Sequence, residues 1–326
     1  MPNTKRVMMG AAGVPTGPGA GSLFGWGKGD NGVLAQNIAY TGASSPVQIG
    51  ALTNWAKIGA GRSALAVKTD GTLWSWGVDS YGQLGLNSLN VNRSSPVQIG
   101  SLTTWSKPTI TNVCGFAIKT DGTLWGWGYN GKGNIGDNTT VRKSSPIQIG
   151  SVNTWASMMQ SGSTEAIGGI LNSGKLYTWG KNEQGNLGHG DTINKSVPTQ
   201  VGSLTNWASL SMTSSTTGAI KTDGTLWTWG SSNYGLNGSG TFVEGAHTSS
   251  PIQVGSLTTW SDADTFQNST LARKTDGTLW SWGHGGNGRL GTGDTLHVSS
   301  PTQIGTGTYW SSNFSGGQYA PMVITE

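Results

Sequence analysis

In this chain of 326 residues only 10 % are charged, while 54 are glycine and 16 are tryptophan; so much indole needs a buried place, which excludes a disordered polymer. The formal charge of +4 comes from 19 basic and 15 acidic residues without a run of either, too thin a field for nucleic-acid binding. The single cysteine, Cys114, excludes an intrachain disulfide and a cysteine-based zinc centre, and its setting NVCGFAIK reads as a buried strand with a structural thiol.

Residues 1–21, MPNTKRVMMGAAGVPTGPGAG, have a basic start, but their apolar content breaks into Pro and Gly after a few positions. They carry neither a secretory apolar region nor a span long enough to enter a membrane. They are expected to form an extended arm in which Val7, Met8, Met9 and Val14 make a small apolar group that cannot bury itself and docks on another subunit. Residues 22–326 are expected to form one domain.

Along that domain the Trp of a WG step recurs at Trp26, Trp76, Trp127, Trp179, Trp229 and Trp282, at intervals of 50 to 53 residues. The proline of SSPVQIG-like segments and the tryptophan of LTNWA or LTTWS repeat with the same period. Six units of roughly 51 residues follow. Within a unit, ALAVKT and TLWSWG are strand-length segments separated by Asp70-Gly71, a pair that predicts a two-residue type I′ hairpin. SPVQIG and NWAKIGAG supply two further strands, so each unit reads as a four-stranded antiparallel propeller blade. Alternation along TLWSW puts Trp74 and Trp76 on one blade face; the same reading makes Trp125, Trp127, Trp179, Trp227, Trp229, Trp280 and Trp282 structural wedges between sheets. The decapeptide KTDGTLWSWG and its variants from Lys68, Lys119, Lys221 and Lys274 are then scaffold, with their aspartates as turn residues. The last segment, YAPMVITE, matches the first half of a hairpin and GSLFGWG from Gly21 the second half, which predicts that the strand near Met322 pairs with the strand near Leu23 and closes the ring.

The motif WSWGVDSYGQLGL followed by SSPVQIG resembles the repeats of the regulator of chromosome condensation (RCC1) superfamily, and the resemblance covers residues 22–326. It implies an all-β propeller. The best-known members have seven blades, whereas six units occur here. The third hairpin, LNSGKLYTWG from Leu171, departs from the pattern with Ser173-Gly174 for Asp-Gly and Tyr177 for the first Trp.

No nucleophile–base pair, metal-ligand spacing or phosphate loop stands out, so neither an enzyme nor a cofactor is expected. His189, His247, His284 and His297 read as separate solvated loop residues. Partner information is expected where the repeats disagree. The loops after each WG offer Tyr81, Tyr129 and Tyr234, an insertion offers Phe242, and the loops after each LTxW offer Arg62, Gln160 and Phe266; loop-tip aromatics suit protein or glycan contacts. The opening KRVMMGAAGV is similar in style to the N-termini of bacteriophage and marine viral structural proteins. The expected function is thus a non-enzymatic interaction protein, made in the cytoplasm and placed in a virion or extracellular surface assembly. Its expected partners are copies of itself or other virion proteins. The alternatives are a glycan-binding adhesin recognising a cell-surface glycan and, as the family implies, a regulator of a GTPase or an enzyme-inhibiting propeller.

Overall fold

The computed structural model describes residues 21–27, 29, 32–35, 42–159, 165–316 and 321–325. Two strands open the chain, β1 (Phe24–Gly27) and β2 (Ala43–Gln48). The next two blades run β3 (Trp55–Ala60), β4 (Ser63–Lys68), β5 (Leu73–Gly77), β6 (Arg93–Gln98) and β7 (Trp105–Ile110), β8 (Cys114–Lys119), β9 (Leu124–Gly128), β10 (Lys143–Gln148). The third holds β11 (Trp155–Met158), β12 (Ala166–Leu171), β13 (Leu176–Gly180) and β14 (Lys195–Gln200); the fourth holds β15 (Trp207–Met212), β16 (Thr216–Lys221), β17 (Leu226–Ser231) and β18 (His247–Gln253). The fifth is β19 (Trp260–Thr265), β20 (Ser269–Lys274), β21 (Leu279–Gly283) and β22 (Val298–Gln303), followed by β23 (Trp310–Gly316) and β24 (Pro321–Thr325).

Each four-stranded sheet is an antiparallel meander in chain order, and the two-stranded sheets β1–β2 and β23–β24 together hold the strands of a sixth blade. The architecture is therefore the expected all-β, six-bladed propeller. Among the described residues no ladder joins β24 to β1. Trp26 on β1 is 64 % exposed, although its five repeat equivalents are fully buried. First strands of neighbouring blades lie side by side, β3 with β7 and β15 with β19.

The blades are joined by tryptophans. The second Trp of each WxW sits in the wedge between sheets, and its indole N–H reaches back to a carbonyl of the preceding blade's loop. Trp127 Nε1 donates to the Gln83 carbonyl (2.9 Å), Trp179 to that of Asn134 (3.0 Å) and Trp229 to that of Asn186 (2.9 Å). The Trp that opens each blade packs against both members of the pair, as Trp105 does on Trp125 and Trp127, at 5.8 and 6.5 Å between ring centroids. Packing of this kind adds edge-to-face attraction to roughly 2–3 kcal/mol of apolar burial per ring. Cys114 is buried, as expected, and its Sγ donates to the Tyr129 carbonyl at 3.0 Å; burial pushes the thiol pKa far up.

The hairpin turn differs from the expectation. It is a three-residue loop in which the Gly71 N–H donates to the Lys68 carbonyl (2.9 Å) and the Lys68 N–H to the Thr72 carbonyl (3.0 Å). Only Gly71 takes a positive φ, +77°; Asp70 does not. This is a type I turn continued by a left-handed glycine, the alternative way to match strand twist. The glycine is also required by the next blade. A Cβ on Gly122, the equivalent residue, would stand 2.1 Å from the Asn153 carbonyl oxygen, while the Gly122 carbonyl accepts from the Trp155 N–H that starts β11.

Candidate functional site

Because every blade is a meander, the loops between its first and second strands and between its third and fourth strands emerge at the same end. The turns between second and third strands and the blade-to-blade links lie at the other. The two variable loop sets therefore share one face of the ring, and backbone bonds tie them together: Val78 N–H to the Arg62 carbonyl (3.3 Å), Tyr129 to Val113 (2.9 Å) and His284 to Asn268 (2.7 Å).

Part of each WG loop is scaffold. Asp79, Asn130 and Asn182 are buried, and each offers a side-chain oxygen to the N–H five residues on: Leu84 (3.1 Å), Ile135 (2.9 Å) and Leu187 (2.8 Å). Gln83 and Asn134 reach across to the carbonyls of Asn112 and Glu165 in the next blade. Desolvation raises the Asp79 carboxyl pKa.

On this frame the structure brings several of the expected residues together. Tyr81 and Tyr129, from successive blades, meet edge to face at 5.4 Å, and the Arg142 guanidinium lies 5.3 Å from the Tyr81 ring centre. Tyr234 stacks on Phe242, with centroids 6.2 Å apart and planes 11° from parallel. Tyr234 holds φ at +57°, a conformation that disfavours an aromatic residue. Phe242 is 51 % exposed, and Arg62 is exposed in its turn. Phe266 is not a surface residue: it is buried with Leu271 and Leu279, because β19 carries it under the loop and into the core. Gln160 and the arm residues Val7, Met8, Met9 and Val14 lie outside the described residues.

The histidine expectation also needs correction. His284 and His297 are brought to 4.4 Å by the loop between β21 and β22, and Tyr234 packs edge-on against both, at 4.5 and 4.9 Å. Each imidazole accepts a backbone N–H at Nδ1, from Gly286 and Gly285 respectively (both 3.1 Å). Desolvation, with the nearby Arg289 and His297, lowers the His284 pKa. Chain separation hid this cluster; the repeat phase of His284 and His297, which puts both in one loop, could have shown it. Among the described residues no three His, Cys, Asp or Glu approach closely enough to hold a metal ion. None forms a helix long and apolar enough to cross a membrane.

The family model of the regulator of chromosome condensation (RCC1) repeat matches residues 70–115, 121–164, 173–220 and 276–320. The chain belongs to the RCC1 repeat family. Ultraviolet-B receptor UVR8 of Arabidopsis thaliana is 33 % identical to it over 91 residues, 28 % of this chain and 20 % of the receptor, so the chain matches about a fifth of that relative's length. Among solved structures, human WBSCR16 superposes with a TM-score of 0.78 at 18 % identity, covering 93 % of this chain and 81 % of its own. Yeast RCC1 (Prp20), solved with Kap60 bound, gives 0.73 at 16 % identity over 88 % and 71 %. At these identities the likeness shows the fold. For an RCC1-repeat protein the repeated decapeptide is scaffold, and the face where its loops differ is the candidate interface.

Proposed function

We propose that this RCC1-repeat protein is a non-catalytic binding platform that docks a protein partner on its loop face. The observation that carries this reading is the Tyr234–Phe242 stack: it is half exposed, held in a strained backbone, and backed by two imidazoles. A preformed aromatic anchor of this kind loses little entropy on binding. The Tyr81–Tyr129–Arg142 group supplies a second contact on the same face. That one solved propeller of this fold, yeast Prp20, was captured with Kap60 and reported for its binding to Gsp1p and histones supports a protein as the class of partner. Regulation of a GTPase or obstruction of an enzyme by docking falls within the same reading. The proposed setting is a virion or an extracellular surface assembly, with copies of this chain or other virion proteins as partners; the Gly/Ser/Thr/Asn-rich loops and the style of the N-terminus support it.

The test pairs the intact chain with a Tyr81→Ser/Phe242→Ser variant, both exposed positions. Sedimentation velocity reads self-association, and affinity capture from the source cells reads other partners. Loss of complexes at an unchanged melting temperature is expected. Complexes formed equally by the variant would overturn the assignment to the loop face.

A further inference from the structure

A second type of site lies at the outer junctions between blades, where Gly238 and Ser239 line one pocket and Gly188 and His189 the other beside the residues of the outer strands. At the junction of the fourth and fifth blades a pocket of about 530 Å³ is lined by Gln253, Leu257, Trp260, Lys274, Trp280 and Ser300. One junction earlier a pocket of about 410 Å³ is lined by Gln200, Leu204, Trp207, Trp227, Ser250 and Pro251. Gln, Leu, the two Trp and Ser occupy the same repeat positions in both. Such volumes hold a small ligand.

The lysine of the decapeptide lines the first pocket as Lys274, and its equivalent Lys221 stands against the two tryptophans that line the second. Lys274 is only 8 % exposed, and its Nζ lies 3.6 Å from the Trp280 ring centre and 5.1 Å from that of Trp260. Lys221 stands likewise 3.5 and 4.9 Å from Trp227 and Trp207. Among the described residues neither ammonium has a hydrogen-bond acceptor or an ion pair: the nearby carboxylates of Asp276 and Asp223 bind Thr278 and Thr225 instead. The opening indoles are also unsatisfied, with Trp207 Nε1 and Trp260 Nε1 buried and unpartnered. Cation–π attraction offsets part of the burial cost of an ammonium, yet its N–H groups still lack the charged acceptor that would satisfy them best.

We propose that these junction pockets bind acidic sugars, with the sugar carboxylate meeting the lysine ammonium and the ring lying against the tryptophan and leucine at the mouth. The Gln amide and Ser hydroxyl supply the uncharged hydrogen bonds that sugar hydroxyls need. Recurrence of the same pocket at two junctions favours a polymer of repeating units, such as a uronate polysaccharide, in which residues several units apart engage both junctions with a gain in avidity. The site is independent of the loop-face reading, since it uses other residues and a carbohydrate.

The test is titration of the full chain with an oligogalacturonate, a neutral maltooligosaccharide and poly-glutamate, followed by calorimetry and saturation-transfer NMR. Selective binding of the uronate is expected. Leu204→Glu/Leu257→Glu changes exposed positions and places like charge at both mouths; it should weaken uronate binding about tenfold with the melting temperature unchanged. Lys221→Met/Lys274→Met, which keeps the stems in place, should remove binding at these two junctions. Three results would overturn the proposal: no uronate binding to about 10 mM, equal binding of the neutral sugar or of poly-glutamate, or uronate affinity unchanged in the Leu→Glu variant.

Discussion

Asp121, Gly122 and Thr123 show at the residue scale why one decapeptide is written repeatedly. Asp121 Oδ1 accepts from the Thr123 N–H (3.0 Å) and from its hydroxyl (2.7 Å), and Thr123 Oγ1 accepts from Trp125 Nε1 (3.1 Å). The same relay runs from Trp74 through Thr72 to Asp70, and those hydrogen bonds hold the Asp70 carboxyl below its usual range. Asp121→Asn keeps an oxygen acceptor and should leave the denaturation midpoint close to wild type. Gly122→Ala, which sets a methyl against the next blade, should lower it severely. Trp127→Ala should cost about 3–5 kcal/mol, from the emptied wedge and the lost bond to Gln83. Equal effects of Asp121→Asn and Trp127→Ala in urea unfolding would contradict the scaffold role. Asp264, on β19, behaves differently: desolvation first, then Asp262, raises its pKa to about 6 against the opposing hydrogen bond from Ser211. The folded state therefore binds its proton more tightly than the unfolded chain. The contribution of Asp264 to stability grows as pH falls from about 6 toward 4 and is lost as pH rises through that window. Asp264→Asn should raise the melting temperature at neutral pH and flatten its pH dependence between those limits.

The third hairpin tests the cage at the scale of the element. There Leu171 replaces the lysine, Tyr177 the first tryptophan, and Trp155 meets Tyr177 edge to face at 5.8 Å. The blade forms the same four strands, so neither lysine nor relay is needed to make a blade; apolar contact suffices. Leu171→Lys alone buries an ammonium beside a tyrosine and should destabilise. Combining it with Tyr177→Trp should recover part of the loss, with a coupling of about 0.5–2 kcal/mol in a double-mutant cycle. Additive effects would show that the cages of the other blades are incidental packing.

The seam decides the whole molecule. Trp310 pairs with Thr325 as Trp55 pairs with Lys68, and in a complete blade Ala66 lies opposite Trp74. Carried over, that register would place Val323 opposite Phe24 if β24 and β1 complete the sixth blade. A Phe24→Cys/Val323→Cys variant should then form a disulfide under mild oxidation and raise the melting temperature, because the bond closes nearly the whole chain into a loop. A variant that stays reduced, read by thiol titration, would argue against closure. Closure should also bury Trp26, so quenching of an exposed tryptophan by iodide should fall when the bond forms.

The amino-acid sequence by itself determined the blade. Period, strand order, wedge tryptophans and the departure at Leu171 are local patterns, and a repeat states them several times over. It placed Tyr81, Tyr129, Tyr234 and Phe242 in loops for the same reason. Only the tertiary structure paired Tyr81 with Tyr129, gathered His284 and His297 under Tyr234, and took Phe266 into the core, because those contacts depend on how neighbouring blades are rotated about the ring. It also decided the turn: Asp-Gly is compatible with two hairpin loops, and the hydrogen bonds to Thr72 and the carbonyl of the next blade select the three-residue form. The lysine between two indoles was equally hidden, since the residues that enclose it lie six positions ahead and thirteen or fourteen behind in the chain and meet only when three strands stand side by side.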